Sequence, residues 1–452
     1  VDLNNAELIN LAQSIALKSF QNFIEIVCPE FQIAKHHLEM IRLIEDTILK
    51  PSGKALAAMP PRHSKSYLFS NLLPAYLMTK YESYHVIVAS YSSELSLDLG
   101  RRTRSIFESD LYRKVFPHVS VATDSSSKTR FHLNNGSSFF AVGVGGSLTG
   151  KSASILILDD GYKGLEQAMS TAYQETIEAW FSGTFYTRRL TGAPMFIVNT
   201  LWTLNDIGLK LSQAQPNEWS VLKLPAISPD GSALWPEMFS IVELEQMKAQ
   251  MGSRIFQALY QADPQSLEGN TIKRSWLKYY KQLPTRFNEK LMSWDLTFTD
   301  KESSDYVVGQ VWGAVGADKY LIDQVRARMD FPATIQAIRQ MAFKHPDAYS
   351  KVVEEKANGA AAIATLRREI SGLIPFNPKT SKETRLFAVS PDIESGNVYL
   401  PDPSIAPWVG DLVEELCSFP NGRHDDCVDA LTQALLRFRV SGGDNLRKLV
   451  TM

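Results

Sequence analysis

The chain has 452 residues, of which 44% are hydrophobic and 21% charged, with a formal net charge of −2. That length accommodates two or three domains with full hydrophobic cores, and the composition is that of a globular protein without a low-complexity tract. A near-neutral balance excludes a globally basic protein, so any nucleic-acid contact has to come from local patches. No apolar run approaches the length of a membrane span, and the first residues, VDLNNAEL, are too polar for a signal peptide. The three cysteines (Cys28, Cys417, Cys427) form no CxxC pair, which points to a reducing compartment and away from a zinc site or disulfide framework.

Apolar residues at helical spacing from Leu8 to Ile24 predict one amphipathic helix over 6–25. From residue 54 the pattern becomes α/β. KALAAM (54–59) predicts a short buried strand, PPRHSKS a loop, SYLFSNLLPAYLMTKY (66–81) a helix, YHVIVASY (84–91) a second strand, and SLDLGRRTRSIF a helix. RFHLNNGSSFFAV (130–142) predicts a hairpin turning at Asn135-Gly136. SILILDD (154–160) and PMFIVNT (194–200) are continuous apolar runs of the kind buried in a parallel sheet. WSVLKLPAI is a last strand-like run, and 241–260 predicts a helix. The rhythm lapses in a locally basic stretch, read as a linker over 265–289. A second α/β unit, 290–440, begins at KLMSWDLTF. It continues through an antiparallel meander, a helix near 332–344, the strand KVVEEKA and the helix AAIATLRREI, and ends in a helix starting near Asp425. Residues 1–264 form the first unit and 441–452 a tail; no internal repeat is visible.

Lys65-Ser66, after an apolar strand and before a helix, is the core of a phosphate-binding loop over Pro61, Arg62, His63, Ser64, Lys65 and Ser66. In such a loop backbone N–H groups and the helix N-terminus hold phosphates, the lysine neutralises the β/γ oxygens, and the serine hydroxyl ligates magnesium. The full G-x-x-x-x-G-K-[ST] pattern is not met, since Met59 and Ser64 stand at the glycine positions, and an exposed Lys-Ser turn is the bland alternative. The second signal is ILILDD: Asp159 at a strand tip would hold magnesium, and Asp160 would orient the attacking water. Together the two signals predict ATP binding and hydrolysis, with Asp160 shorter by one methylene than the usual glutamate. Arg62 is a candidate to stabilise charge on the γ-phosphate, Arg188 or Arg189 a candidate finger arginine, and Asn199-Thr200 a candidate sensor. The finger arginine would act in cis or on a neighbouring subunit; the plainer alternative for Arg188 and Arg189 is a surface salt bridge, and for Asn199-Thr200 a strand cap.

In the second unit Asp295 ends a strand, Glu354 lies on a later one, and Asp426 and Asp429, spaced i, i+3, share a face of the closing helix's first turn. Carboxylates from two strands and a helix suit a ribonuclease-H-like site holding two divalent ions ~4 Å apart across a scissile phosphate. Asp295, Glu354 and Asp426 are expected to converge, with Asp429 at the edge. Helix-dipole capping covers Asp425 and in part Asp426, but not Asp295. Glu355 rivals Glu354, because adjacent strand residues face opposite ways.

From about residue 31 to residue 437 the sequence resembles the large terminase subunits of tailed phages. The resemblance rests on AMPPRHSKS, VIVASYSSELS, AVGVGGSLTGKSASILILDDGYKG, IVNTLWTLNDIG, LPAISPDGSALWPE, ALYQADPQSLEG, WDLTFTD, VEEKANG, FNPKTSKETR and GRHDDCVDAL. It implies an α/β chain with an N-terminal ASCE-type P-loop ATPase of mostly parallel sheet, followed by a ribonuclease-H-like nuclease. It implies ATP and Mg²⁺ as cofactors, with Mn²⁺ an option at the nuclease. It also implies double-stranded DNA, a portal protein and a small terminase subunit as partners, with a homo-oligomeric ring on the procapsid and no membrane. The place of action would be the cytoplasm of an infected bacterium, outside the mature virion. The family's loop residues fall on Lys65 and Ser66, its magnesium acid on Asp159, and its nuclease acids on Asp295, Glu354, Asp426 and Asp429. Ser64 replaces the glycine of PPRHGKS and Gly161 the proline of DDP. Lys379, Lys382 and Arg385 form a basic cluster that would meet DNA phosphates, with a solvated loop as the alternative. The rival functions are a helicase-like or recombination ATPase with an inactive ribonuclease-H-like domain, and a structural virion component without activity.

Overall fold

Each apolar run predicted as a strand lies in a sheet, and the described residues form two sheets. The computed structural model describes residues 6–123, 130–264, 271–296, 306–355, 358–378, 380–422 and 424–450. Two units divide it: 1–248 with 253–266, and 249–252 with 267–452.

In the first unit the strands are β1 (Lys54–Ala58), β2 (His85–Ser90), β3 (Arg130–His132), β4 (Ser138–Gly143), β5 (Ile155–Asp159), β6 (Met195–Asn199) and β7 (Trp219–Lys223). Their order across the sheet is β3-β4-β2-β5-β6-β1-β7. All neighbours pair in parallel except β3 with β4, the predicted hairpin, where Gly136 supplies a positive φ of 83° at the turn. Alternate residues serve opposite faces: Ala55, Val86, Val88, Ile155 and Ile157 join one core, and Leu56, Ile87, Leu156 and Leu158 the other. Burial on both faces is why these strands read as unbroken apolar runs.

The helices depart from the periodicity at three places. The helix predicted over 6–25 is two, Ala6–Ala16 and Phe20–Val27, because Ser19 turns out of the helix and its side chain caps the Asn22 N–H. The helix after Lys65 opens with a π-helical stretch, Tyr67–Leu72, before Leu73–Lys80. Pro74 has no N–H to give, and the Ser70 carbonyl instead accepts from the Asn71 side chain and the Thr103 hydroxyl. The stretch 241–260 breaks at Gly252 (φ 80°) into Ile241–Met251 and Ser253–Leu259.

The second unit holds β8 (Lys278–Tyr280), β9 (Glu289–Asp295), β10 (Val307–Val315), β11 (Asp318–Ala327), β12 (Ser350–Glu354), β13 (Leu373–Phe376) and β14 (Val398–Pro401), ordered β13-β12-β9-β10-β11-β14-β8. β10 and β11 are the predicted antiparallel meander, β9 joins it by pairing antiparallel with β10, and β12 lies parallel to β9. The described part of the expected linker is therefore not all connector: β8 closes one edge of this sheet, and Leu277 and Ile272 enter its core. The final helix, Asp426–Val450, runs through the expected 440/441 boundary. The basic segment around residue 382 is no solvated loop; Ser381 caps the Thr384 N–H and starts the helix Lys382–Glu394. No described helix is long and apolar enough to cross a membrane.

Candidate active sites

In the first unit topology assembles a site from three separate stretches. β6 lies between β1 and β5, so the loop after β1, the acids after β5 and the Asn199-Thr200 pair after β6 emerge side by side at one sheet edge. Within the loop Arg62 and Ser64 both adopt left-handed backbone, φ 62° and 63°. Such alternation turns successive N–H groups toward one concavity, a phosphate-binding nest. The lysine is 6% exposed; its Nζ donates to Thr200 Oγ1 at 2.6 Å and lies 3.4 Å from Asp160 Oδ2. Asp160 Oδ1 accepts the Thr200 N–H at 2.7 Å. Asp159 accepts from the Ser66 hydroxyl at 3.0 Å and the Ser70 hydroxyl at 2.6 Å. Burial first, and Asp160 second, raise the Asp159 carboxyl above the usual carboxylate range. Ser66 hydroxyl beside a buried carboxylate is an all-oxygen donor pair suited to Mg²⁺.

Other expectations for this unit change. The His63 ring is buried and stacks on Phe239, so it gives the loop backbone and not imidazole. Arg62 is exposed. Arg188 and Arg189 flank the start of β5, through the Ala153–Arg189 bridge, while the phosphate loop lies at the strand tips. They bond carbonyls of Leu148 and Ala193 and form no ion pair among the described residues. Gly161 has no special φ, and a Cβ there would meet Ile177 Cδ1 at 2.8 Å. Two features escaped the sequence reading. Asp206, fully buried, accepts the Trp202 and Thr203 N–H groups at 2.7 and 2.9 Å and so fixes the loop after β6. Gly145–Ser152 (GGSLTGKS) meets the phosphate-loop pattern in full, but it leads into β5 and not into a helix, so it lacks the helix N-terminus such a loop uses.

In the second unit Val353 pairs with Trp294, so the next residues, Glu354 and Asp295, stand side by side at the strand tips. The closing helix brings a third acid. Gln433 donates to the Val352 carbonyl at 3.0 Å, and the Ser293 hydroxyl donates to the Ala430 carbonyl at 2.7 Å, so the helix is tied to both strands. Carboxylate oxygens of Asp295, Glu354 and Asp429 all lie within 4.8 Å of one another, and all three residues are buried. The third acid is therefore Asp429, not Asp426 as expected. Three residues along a helix turn about 300°, and the remaining ~60° is enough to send the two side chains to different places. Asp426 instead accepts the Tyr306 N–H at 3.2 Å, though it still acts electrostatically on Asp295. Glu354 is in the site, whereas Glu355 is exposed. Gly359 keeps the tip in place: a Cβ there would fall 1.7 Å from the Glu354 carbonyl oxygen.

Burial, then the charges of Asp429 and Glu354, push the Asp295 carboxyl well above the usual range. Burial also raises Asp429, against the pull of Lys382 and Arg385. Three buried carboxylates this close, offering only oxygen, fit a hard divalent cation such as Mg²⁺ or Mn²⁺. Two members of the basic cluster, Lys382 and Arg385, turn to the acids of this site. Arg385 is 3% exposed and bonds Asp429 Oδ1. Lys382 Nζ lies 2.7 Å from Asp425 and 2.6 Å from Asp429 Oδ2. Lys379 lies outside the described residues.

The model of the family described as Terminase RNaseH-like domain matches residues 292–438. No curated protein matches the chain. Among solved structures, the large terminase of a thermophilic bacteriophage in complex with ADP is 13% identical, with 89% of this chain and 98% of that chain covered and a TM-score of 0.52. Another crystal form of the same phage enzyme is 11% identical, with 91% and 97% covered and a TM-score of 0.50. Identity this low speaks for the fold: a mostly parallel ATPase-type unit followed by a ribonuclease-H-like one. The C-terminal unit is thus matched as a terminase ribonuclease-H-like domain, and the chain as a whole has the fold of the large terminases.

Proposed function

We propose that the chain is a viral DNA-packaging motor: its first unit hydrolyses ATP to drive double-stranded DNA into a procapsid, and its second cuts concatemeric DNA into genome units. The reading that it cuts DNA is carried by the Asp295–Glu354–Asp429 triad, whose buried like charges call for divalent cations. Two such ions would supply an activated water on one side of the phosphate and charge stabilisation of the leaving oxygen on the other. The chain's own part is to hold the three carboxylates at fixed spacing. For the motor, Lys65, bonded to Thr200 and facing Asp160, is the cation that would meet the β/γ-phosphates, and Ser66 with Asp159 would hold Mg²⁺. Asp160 sits beside both and is the candidate to orient water. The further reading follows from the family: a ring on a portal, a small subunit that selects DNA, and action in the cytoplasm of an infected bacterium, outside the mature virion.

The test uses the full chain. Purified procapsids and DNA should stimulate ATP turnover, and Mn²⁺ or Mg²⁺ should support plasmid cleavage that chelator abolishes. Asp295→Ala should remove cleavage and leave ATPase near normal. ATPase without any metal-dependent cleavage would instead favour a helicase-like or recombination ATPase with an inactive second unit.

A further inference from the structure

Within the triad, Asp429 is gripped by two cations. Its Oδ1 takes Arg385 and its Oδ2 takes Lys382. The two grips are unlike. Arg385 is buried and braced, donating also to the Thr380 carbonyl at 2.9 Å. Lys382 is the first residue of its helix, its side chain is 37% exposed, and it bridges to Asp425, itself 38% exposed. A long, flexible, half-exposed side chain can leave; a braced, buried guanidinium cannot without stranding its partner.

Each Asp429 oxygen thus carries a cation, and a divalent ion shared with Asp295 and Glu354 has to settle beside one of them, where a neighbouring ammonium repels it. We propose that Lys382 is a built-in competitor for that ion. It holds Asp429 and Asp425 in position before metal binds and yields its place on Asp429 Oδ2 when the ion arrives, while Arg385 stays and keeps the carboxylate aimed. The inference rests on the reading of Asp295, Glu354 and Asp429 as a metal site. A doubly charged ion wins the exchange because it meets three carboxylates at once, where the ammonium meets Asp429 and Asp425. Lys382 is then a positioning residue that sets the metal concentration at which the nuclease switches on. Cutting is thereby tied to ion occupancy and not to the mere presence of the acids.

The experiment is calorimetric titration of the full chain with Mn²⁺, without nucleotide, alongside thermal melts to confirm that each variant is folded. Lys382→Met removes the competitor, so Mn²⁺ should bind more tightly, by roughly two- to ten-fold, since half-exposed ion pairs contribute modestly. Lys382→Arg should grip Asp429 and Asp425 more firmly through its planar fork and weaken Mn²⁺ binding. Asp295→Asn should abolish the binding event. A purely structural lysine would not give opposite signs for Met and Arg. Unchanged or weaker Mn²⁺ binding in Lys382→Met, or tighter binding in Lys382→Arg, overturns the competitor. Wild-type binding in Asp295→Asn overturns the metal-site reading itself.

Discussion

Both sites gather acids at strand tips, yet the two units neutralise those acids by different means. Around Asp159 and Asp160 the work is done by hydroxyls and one lysine, from Ser66, Ser70, Thr200 and Lys65. Three of those four belong to the loop that follows β1 and the helix it opens. Around Asp295, Glu354 and Asp429 the compensation comes from Lys382 and Arg385, on a helix remote in sequence from both strands. The first site is satisfied by local, mostly neutral donors and is poised for an anionic ligand with its magnesium. The second is an excess of buried negative charge, partly covered by cations, and is poised for metal. Nucleotide and metal are therefore expected to load the two sites independently.

The sharpest break of this comparison is to remove one key charge from each site. Lys65→Ala takes away the ammonium that the phosphate loop holds against Thr200 and Asp160. ATP turnover of the full chain should fall by at least ~10³-fold, the upper part of what a lost electrostatic stabiliser costs, while metal-dependent plasmid cleavage persists. Asp295→Ala should do the reverse. A coupled loss of both activities in either variant, with an unchanged melting profile, would contradict independent loading.

Within the second site the comparison is between Asp429 and Asp426. Asp429→Asn should behave like Asp295→Ala. Asp426 acts from outside the triad, so Asp426→Asn should cost only about 10- to 100-fold in cleavage, the range of an outer partner of a metal ligand. Equal losses would return Asp426 to the ligand set.

This pair also marks how far the sequence could be read. The first site was legible because its parts are short motifs, each at the end of an apolar run, and chain order nearly fixes their place in a parallel sheet. The choice between Asp426 and Asp429 was not legible. Both lie on the right helix turn, and the choice depends on how Gln433 and Ser293 tie the helix to β9 and β12. The helix Lys382–Glu394 was missed for a related reason. Its Lys-Glu-Thr-Arg start is polar throughout, and the carboxylate that pairs with the buried Arg385 lies on the closing helix. The extra edge strand β8 was hidden by its length of three residues inside a basic stretch.

A smaller effect separates the units by pH. Burial, then His37 and His63, pushes His36 down to about 3, and burial pushes His37 down to about 4; both rings pack against Trp235 beside the phosphate loop. Histidine in an unfolded chain titrates at about 6.5. Between these values the unfolded chain binds more protons than the folded one, so stability is fully present above about pH 6.5 and is lost as pH falls toward about 4. The loss should amount to a few kcal/mol, on the order of 1.4 kcal/mol per pKa unit. Asp159 and Asp206, whose carboxyls burial pushes up to about 7, act with the opposite sign over the same range, so the ring contribution is read as a difference: in urea titrations the wild-type midpoint should fall relative to that of His36→Asn as pH drops from about 6.5 to about 4. A difference between wild type and His36→Asn that does not change with pH from about 6.5 to about 4.5 would mean that this ring is not held neutral.

The smallest expected effect tests the loop itself. Ser64 holds φ 63°, a left-handed conformation that costs a side-chain-bearing residue about 1–2 kcal/mol and costs glycine little. Ser64→Gly should therefore relieve the folded state. Against that gain stands the greater freedom of glycine in the unfolded chain, about 0.5–1 kcal/mol. The balance is a net stabilisation between about 0 and about 1.5 kcal/mol, readable as a small rise in the unfolding midpoint. Ser64→Ala keeps the Cβ and with it the strain, so it should give no such rise. Removing the Cβ also frees the backbone to approach phosphate, so ATP turnover in Ser64→Gly should rise or hold while Ser64→Ala stays at or below wild type. A stabilising alanine, or a glycine variant with impaired turnover, would mean that the Ser64 hydroxyl matters more to this loop than its backbone does.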